Sequence, residues 1–218
     1  MENHPKILEE PYKFMKNKHT IINIGRQFGS GGRDIAQAIG LKLGIPVYDN
    51  ELITKAAEQS GFSPELFRKS DEKRRFMWLG SIFGSNRYGS FTSGLNDGEL
   101  FKIQSDVIRK IAGQGPAIFI GRASNYILRD FDCLNVFICA PMDIRKKYVC
   151  GREDLPEDKA EEIIFKRDRA RAEFYNFFSF GHWGKSSDYH LCIDSSKLGI
   201  EKTADFIIDF GREAGLIR

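Results

Sequence analysis

What this chain lacks narrows its chemistry first. Its cysteines, Cys133, Cys139, Cys150 and Cys192, show no Cys-x-x-Cys spacing, and none has a histidine at metal-ligand distance in sequence. That pattern excludes a zinc site or a dithiol redox motif and predicts buried, reduced thiols. Residues 1–19 are polar and charged, without the apolar segment of a secretory signal, and no hydrophobic run approaches the length that crosses a bilayer. A cytoplasmic protein with no membrane partner is therefore expected. Charge of one sign is scarce as well: 33 Lys and Arg stand against 30 Asp and Glu, a formal net charge of +3. So balanced a surface cannot coat a duplex, which needs a continuous basic face, and no nucleic-acid partner is expected. Internal repeats and low-complexity tracts are also missing.

What is present is ordinary globular material. The 218 residues are 41% hydrophobic and 29% charged, enough for one large domain or a core domain with an insert. The most informative stretch begins with a short apolar run, Ile21 to Ile24, which reads as a buried strand. Gly25, Gly29, Gly31 and Gly32 follow, and then Ile35, Ala38, Ile39 and Leu43 recur with helical spacing. Strand, glycine-rich turn and helix N-terminus together build an anion site. Glycines let the backbone turn its amides inward, and the helix dipole adds partial positive charge where they point. On this reading Gly29, Ser30, Gly31, Gly32 and Arg33 hold a phosphate chain, with Arg33 as the full cation. The usual G-x-x-x-x-G-K-[ST] loop places a lysine and then a hydroxyl after its last glycine. Here the lysine position holds Gly32 if that glycine is Gly31, or Arg33, followed by Asp34, if it is Gly32. A glycine-rich turn without any ligand is the plainer alternative.

Beyond the loop, strands and helices alternate. Ile45–Tyr48 reads as a short strand, with Asp49 or Asn50 capping a helix through Glu58. A helix carrying Leu100, Ile103, Val107, Ile108 and Ile111 is expected to stop at Gly113, before a strand at Ala117–Ile120. Another strand spans Leu134–Cys139, and Pro141 opens a helix. A long helix covers about 157–175, and a strand at Leu191–Ile193 precedes a closing helix. Such βα alternation implies a parallel sheet covered on both faces. Residues 60–98, rich in Phe, Gly and Ser without a period, break the rhythm and read as an inserted subdomain.

Arginine and lysine cluster where open α/β sheets bind ligands. Lys55 follows the 45–48 strand, Arg122 sits just past the strand ending at Ile120, and Arg145 lies on the next helix with Lys146 and Lys147. Arg167, Asp168 and Arg171 share the long helix, where spacings of three and four bring them to one face. Arginine suits phosphate because its planar fork grips two oxygens and keeps its proton. Solvated ion-pair faces are the simpler account of Lys146 and Lys147. The run Phe174–Phe180 could stack bases, although core or subunit contacts explain it more cheaply.

Taken together these blocks resemble the cytidylate kinase family of nucleoside monophosphate kinases, and more closely its cytidylate-kinase-like branch. Tyr48-Asp49-Asn50 with Lys55 is similar to the family segment that meets the acceptor monophosphate. Gly121-Arg122 is similar to its Asp-Gly-Arg-Asp, whose arginine grips the acceptor phosphate. Arg167-Asp168-Arg169-Ala170-Arg171 is similar to its Arg-Asp-x-x-Arg helix, whose aspartate takes the ribose and whose last arginine takes a phosphate. Arg145 falls where the family has a basic residue beside the ATP lid, here 150–156.

The resemblance implies a three-layer α/β P-loop kinase fold over 1–218, with a parallel sheet, an acceptor-side insert at 60–98 and a short lid at 150–156. It implies ATP and Mg²⁺, with Asp34 near the metal. Arg33, Arg122 and Arg171 would be catalytic, and Asp49, Lys55, Arg122, Arg167, Asp168 and Arg171 would hold a nucleotide-like acceptor, in a monomer or a homo-oligomer. The departures are Ile120 and Ala123 where the family has acids, and the missing loop lysine. They keep open a second reading, a nucleotide- or anion-binding protein that retains the fold without the chemistry.

Overall fold

The computed structural model describes residues 19–59 and 94–218. Five strands form one all-parallel sheet in the order β2-β3-β1-β4-β5: β1 Ile21–Arg26, β2 Val47–Tyr48, β3 Ala117–Ile120, β4 Leu134–Cys139 and β5 Leu191–Asp194. The helices are α1 Gly32–Leu43, α2 Asn50–Gln59, α3 Gly94–Gln114, α4 Ser124–Ile127, α5 Met142–Glu153, α6 Glu157–Ser179 and α7 Gly199–Glu213.

The central strand β1 is apolar because it is covered on both faces. Ile22 and Ile24 meet Ile35 and Ile39 of α1 and Ile207 and Ile208 of α7 on one side. Ile21 joins Ile53 of α2, Ile108 of α3 and Ile127 of α4 on the other. Asn23 is the polar exception in this buried strand. Its side-chain amide donates to Asn135 on β4, its register partner, at 2.8 Å, so the two polar groups answer each other inside the sheet.

Sequence signals and observed boundaries mostly agree. β3 and β4 have the expected limits, while β2 shrinks to two residues and α6 runs on to Ser179. Asp49 is the cap of α2, accepting the Leu52 amide at 3.1 Å. Gly113 does not stop α3, which continues to Gln114. The expected insert at 60–98 lies mostly outside the described residues, and its last five residues already belong to α3. The expectation of buried thiols holds for Cys133, whose pKa burial pushes up to about 12, but Cys192 is exposed; all four are free. In the aromatic run, Phe174 and Phe178 pack against Phe101 of α3, whereas Phe177 and Phe180 are exposed.

The α1–β2 connection shows how tightly the layers are set. Gly40 accepts the amides of Gly44 and Ile45, which closes α1, and a Cβ at Gly40 would lie 2.8 Å from the Ile45 carbonyl and 2.5 Å from Val47 Cγ2. A backbone oxygen cannot rotate aside. Gly40→Ala is expected to destabilise the protein by about 1–3 kcal/mol in urea unfolding, whereas an unchanged midpoint would mean the layers can separate at no cost.

Candidate functional site

The glycine loop between β1 and α1 is a built structure. Gly29 and Gly31 hold φ of 79° and 70°, which β-carbon-bearing residues seldom adopt. Ser30 turns its hydroxyl inward, towards the carbonyls of Gln27 and Ile138, and Ser195 in turn donates to the Ser30 carbonyl at 2.7 Å. Ile35 is the first amide to bond back inside the helix, to Gly31 O at 3.0 Å. The amides of Gly32, Arg33 and Asp34 therefore point out of the N-terminus, where an anion is favoured.

Asp168 of α6 ties this loop down. Its Oδ1 accepts the Phe28 amide at 2.7 Å and lies 3.8 Å from Arg171 Nη1, and its Oδ2 accepts Arg145 Nη2 at 2.6 Å. Burial pushes the Asp168 carboxyl above the usual carboxylate range, against the pull of the Phe28 N–H and the Arg145 charge. The residue expected to take a ribose is here engaged on both oxygens by the protein. Arg145, expected at the nucleotide, is its buried partner. The Phe28 ring continues the dock, with the guanidinium carbons of Arg171 and Arg167 at 5.3 and 5.7 Å from its centroid.

A second group of arginines gathers at the C-terminal ends of β1 and β3. Arg171 donates to the Arg26 carbonyl at 3.0 Å. Arg122 follows Gly121 and precedes Ala123, and all three have φ between 52° and 73°. For the two non-glycine residues that conformation costs on the order of 1–2 kcal/mol each, a strain concentrated where the strand releases its chain. The Arg122 guanidinium lies over Phe174 at 5.0 Å. Burial, and then the charges of Arg171 and Arg122, press Arg26 well below its ordinary pKa; burial does the same to Arg171. Guanidinium groups hold their protons, so the group stays cationic and favours an anion beside it.

The other expected residues stand at the rim. Arg33 is half exposed and reaches Asp49 at 2.7 Å. Asp34 accepts the Tyr148 hydroxyl and pairs with Arg152 at 3.3 Å; burial and the Asp34 charge raise the Tyr148 pKa. Lys55 is exposed on α2, two residues from buried Ile53. Lys146 is tied to Glu161 at 3.1 Å, as a solvated ion-pair face predicts. The expected lid, 150–156, is the last turn of α5 followed by a turn through Asp154 at φ 51°. Among the described residues no group of three or more His, Cys, Asp or Glu is arranged around a common metal position.

Two residues escaped the sequence reading. Tyr148 gave no signal, because its partner Asp34 is 114 residues away. Arg26 did give one. Gly25-Arg26 ends β1 and Gly121-Arg122 directly follows β3, and the register Ile24↔Ile120 brings both Gly-Arg pairs to the same end of the sheet.

The profile of the Cytidylate kinase-like family matches residues 21–197. The chain belongs to that family. A cytidylate kinase from Sulfolobus acidocaldarius is 28% identical over 108 residues, covering 49% of this chain and 59% of that relative. Among solved structures, an uncharacterized protein from Eubacterium ventriosum superposes with a TM-score of 0.68 at 27% identity, over 88% of this chain and 98% of its own. A shikimate kinase from Bacteroides thetaiotaomicron and a gluconokinase from Sinorhizobium meliloti share the fold at TM-scores of 0.50 and identities of 14% and 12%. They cover 88% and 91% of this chain, and 97% of each neighbour. The family and the fold are those of P-loop kinases. No helix among the described residues of this cytidylate kinase-like chain is long and apolar enough to cross a membrane.

The two ion pairs of the site differ in what they hold. Asp168→Ala would leave Arg145 buried without its partner, so a loss of about 3–5 kcal/mol is expected in ligand-free chemical denaturation. Arg33→Ala removes an exposed pair and should cost at most about 1 kcal/mol. Equal effects would show that Asp168 does not carry the loop.

Proposed function

We propose that this protein is an ATP-dependent phosphotransferase whose acceptor is a nucleoside monophosphate, cytidylate-like, or a similarly phosphorylated small molecule. The observation that supports it is the group of arginines, Arg26, Arg122 and Arg171, at the C-terminal ends of β1 and β3 beside the glycine loop. The outward amides of Gly32 to Asp34 suit the donor's phosphates, and a cationic group beside them suits a second phosphorylated molecule. Arg122 and Arg171 hold that acceptor, with Asp49 and Arg33 at its edge. An acceptor that is already a phosphate anion needs no general base, so the protein's work is positioning and charge neutralisation.

Mg²⁺ arriving with the nucleotide would supply further positive charge, and Asp34, whose carboxylate takes Tyr148 and Arg152, is the residue that would hold it. Arg152 lies in the 150–156 lid, so lid and loop touch through that carboxylate. The protein works in the cytoplasm.

A second reading has its own support. Arg33 is turned to Asp49, Gly32 stands at one lysine register of the loop, and the acids flanking Gly-Arg in the family are Ile120 and Ala123. A nucleotide-binding protein without turnover fits these facts. Calorimetric ATP binding with no ADP formed beside any acceptor would select it.

A coupled assay with MgATP over the common nucleoside monophosphates tests the kinase reading, and turnover with none would count against it. Arg122→Ala is expected to lower kcat/KM by about 10²-fold or more with the fold intact by circular dichroism. Arg122→Lys should recover only part, because a point charge does not reproduce the fork. Full activity in Arg122→Ala would place the acceptor elsewhere.

A further inference from the structure

A P-loop kinase ordinarily carries a lysine just after the last loop glycine, reaching the phosphates from the N-terminus of the helix. This chain has no lysine in the loop, and its nearest substitute, Arg33, is engaged at the rim by Asp49. We propose that Arg26, at the end of β1, replaces that lysine, crossing Gly32 to reach the phosphoryl group that passes from donor to acceptor. The inference rests on the phosphotransferase reading of the same site.

Two glycines clear the path for this one side chain. A Cβ on Gly32, the first residue of α1, would lie 2.6 Å from Arg26 Cβ and 3.0 Å from its Cγ. The stem of Arg26 thus fills the space in which a side chain at position 32 would start. At the far end, a Cβ on Gly121 would run into Arg26 Nη1 and lie 3.1 Å from Cζ. The side chain therefore extends from the helix N-terminus that receives the donor to the strand end that carries Arg122. Lysine at 32 and arginine at 26 exclude each other, and the missing lysine becomes a relocation of charge.

Electrostatics point the same way. The charges of Arg171, Arg122 and Arg33 bear on Arg26, with Asp49 and Asp168 opposing them, and among the described residues no carboxylate forms an ion pair with it. An anion bound between these arginines would offset their repulsion. In the transfer, an acceptor phosphate oxygen bonds to the γ-phosphorus while the β–γ bridging bond breaks, its electron pair leaving on the β-phosphate. Charge spreads over the equatorial oxygens, and a fork held between the two ends neutralises it without exchanging a proton.

The test is calorimetric titration with tripolyphosphate, which probes the loop without any turnover, run beside the kinase assay. Arg26→Ala should weaken tripolyphosphate binding about 10- to 100-fold, the range for a lost hydrogen bond between charged groups. Arg26→Gln, which keeps the stem, should do the same and serves if the alanine variant does not fold. Gly32→Lys alone should lose binding through its clash with the Arg26 stem. Arg26→Gly combined with Gly32→Lys should recover affinity to within a few-fold, a rescue that a purely structural arginine would not give. If the wild type turns over a monophosphate but Arg26→Ala and Arg26→Gln leave both kcat and tripolyphosphate affinity unchanged, the inference is overturned and the kinase reading stands. If no acceptor is turned over and these variants still lose tripolyphosphate, the kinase reading fails and Arg26 remains the loop's cation. A wild type that does not bind tripolyphosphate overturns the assignment.

Discussion

One carboxylate holds the site together. Asp168 takes the Phe28 amide with one oxygen and Arg145 with the other, so α6, α5 and the glycine loop meet in a single group. A glycine-rich turn has few side chains of its own to fix it, and this one borrows its rigidity from a helix 140 residues away in sequence. The hydroxyls of Ser30 and Ser195 complete the arrangement by consuming the inward carbonyls. Outward amides on such a support are preorganised for an anion, and preorganisation is most of what phosphoryl transfer asks of a protein.

Much of the fold was legible because parallel strands buried on both faces announce themselves as unbroken apolar runs. Ala117–Ile120 and Leu134–Cys139 are of that kind, and both have the limits their sequence implies. β2 was harder: Ile45 and Pro46 continue the apolar run, but only Val47 and Tyr48 pair with β3. Gly113 looked like a stop because glycine weakens a helix interior, yet α3 is held by packing through Ile108 and Ala112 and runs past it.

The site was legible in its parts and not in its pairings. Spacing alone placed Asp168 and Arg171 on one face of a helix, but only the tertiary fold shows that Asp168 faces the loop and that Arg33 faces Asp49. Motif spacing put Lys55 on α2 but gave no account of its exposure, which follows from Ile53 facing the core two residues before it. Arg26 was overlooked for another reason. Read along the chain its Gly-Arg pair is one more part of a loop, and the register of β1 with β3 brings it to the same end of the sheet as Gly121-Arg122.

The shape of the sheet bears on how the protein can meet copies of itself. A strand edge offers unpaired amides and carbonyls to any passing chain, and the hazard grows with its length. One edge here is β2, two residues long, which leaves almost no ladder to copy. The opposite edge is β5, four residues from Leu191 to Asp194 that end in a carboxylate. Strand-to-strand association through the described sheet therefore has one short side open to it, and repulsion between like charges stands at its end.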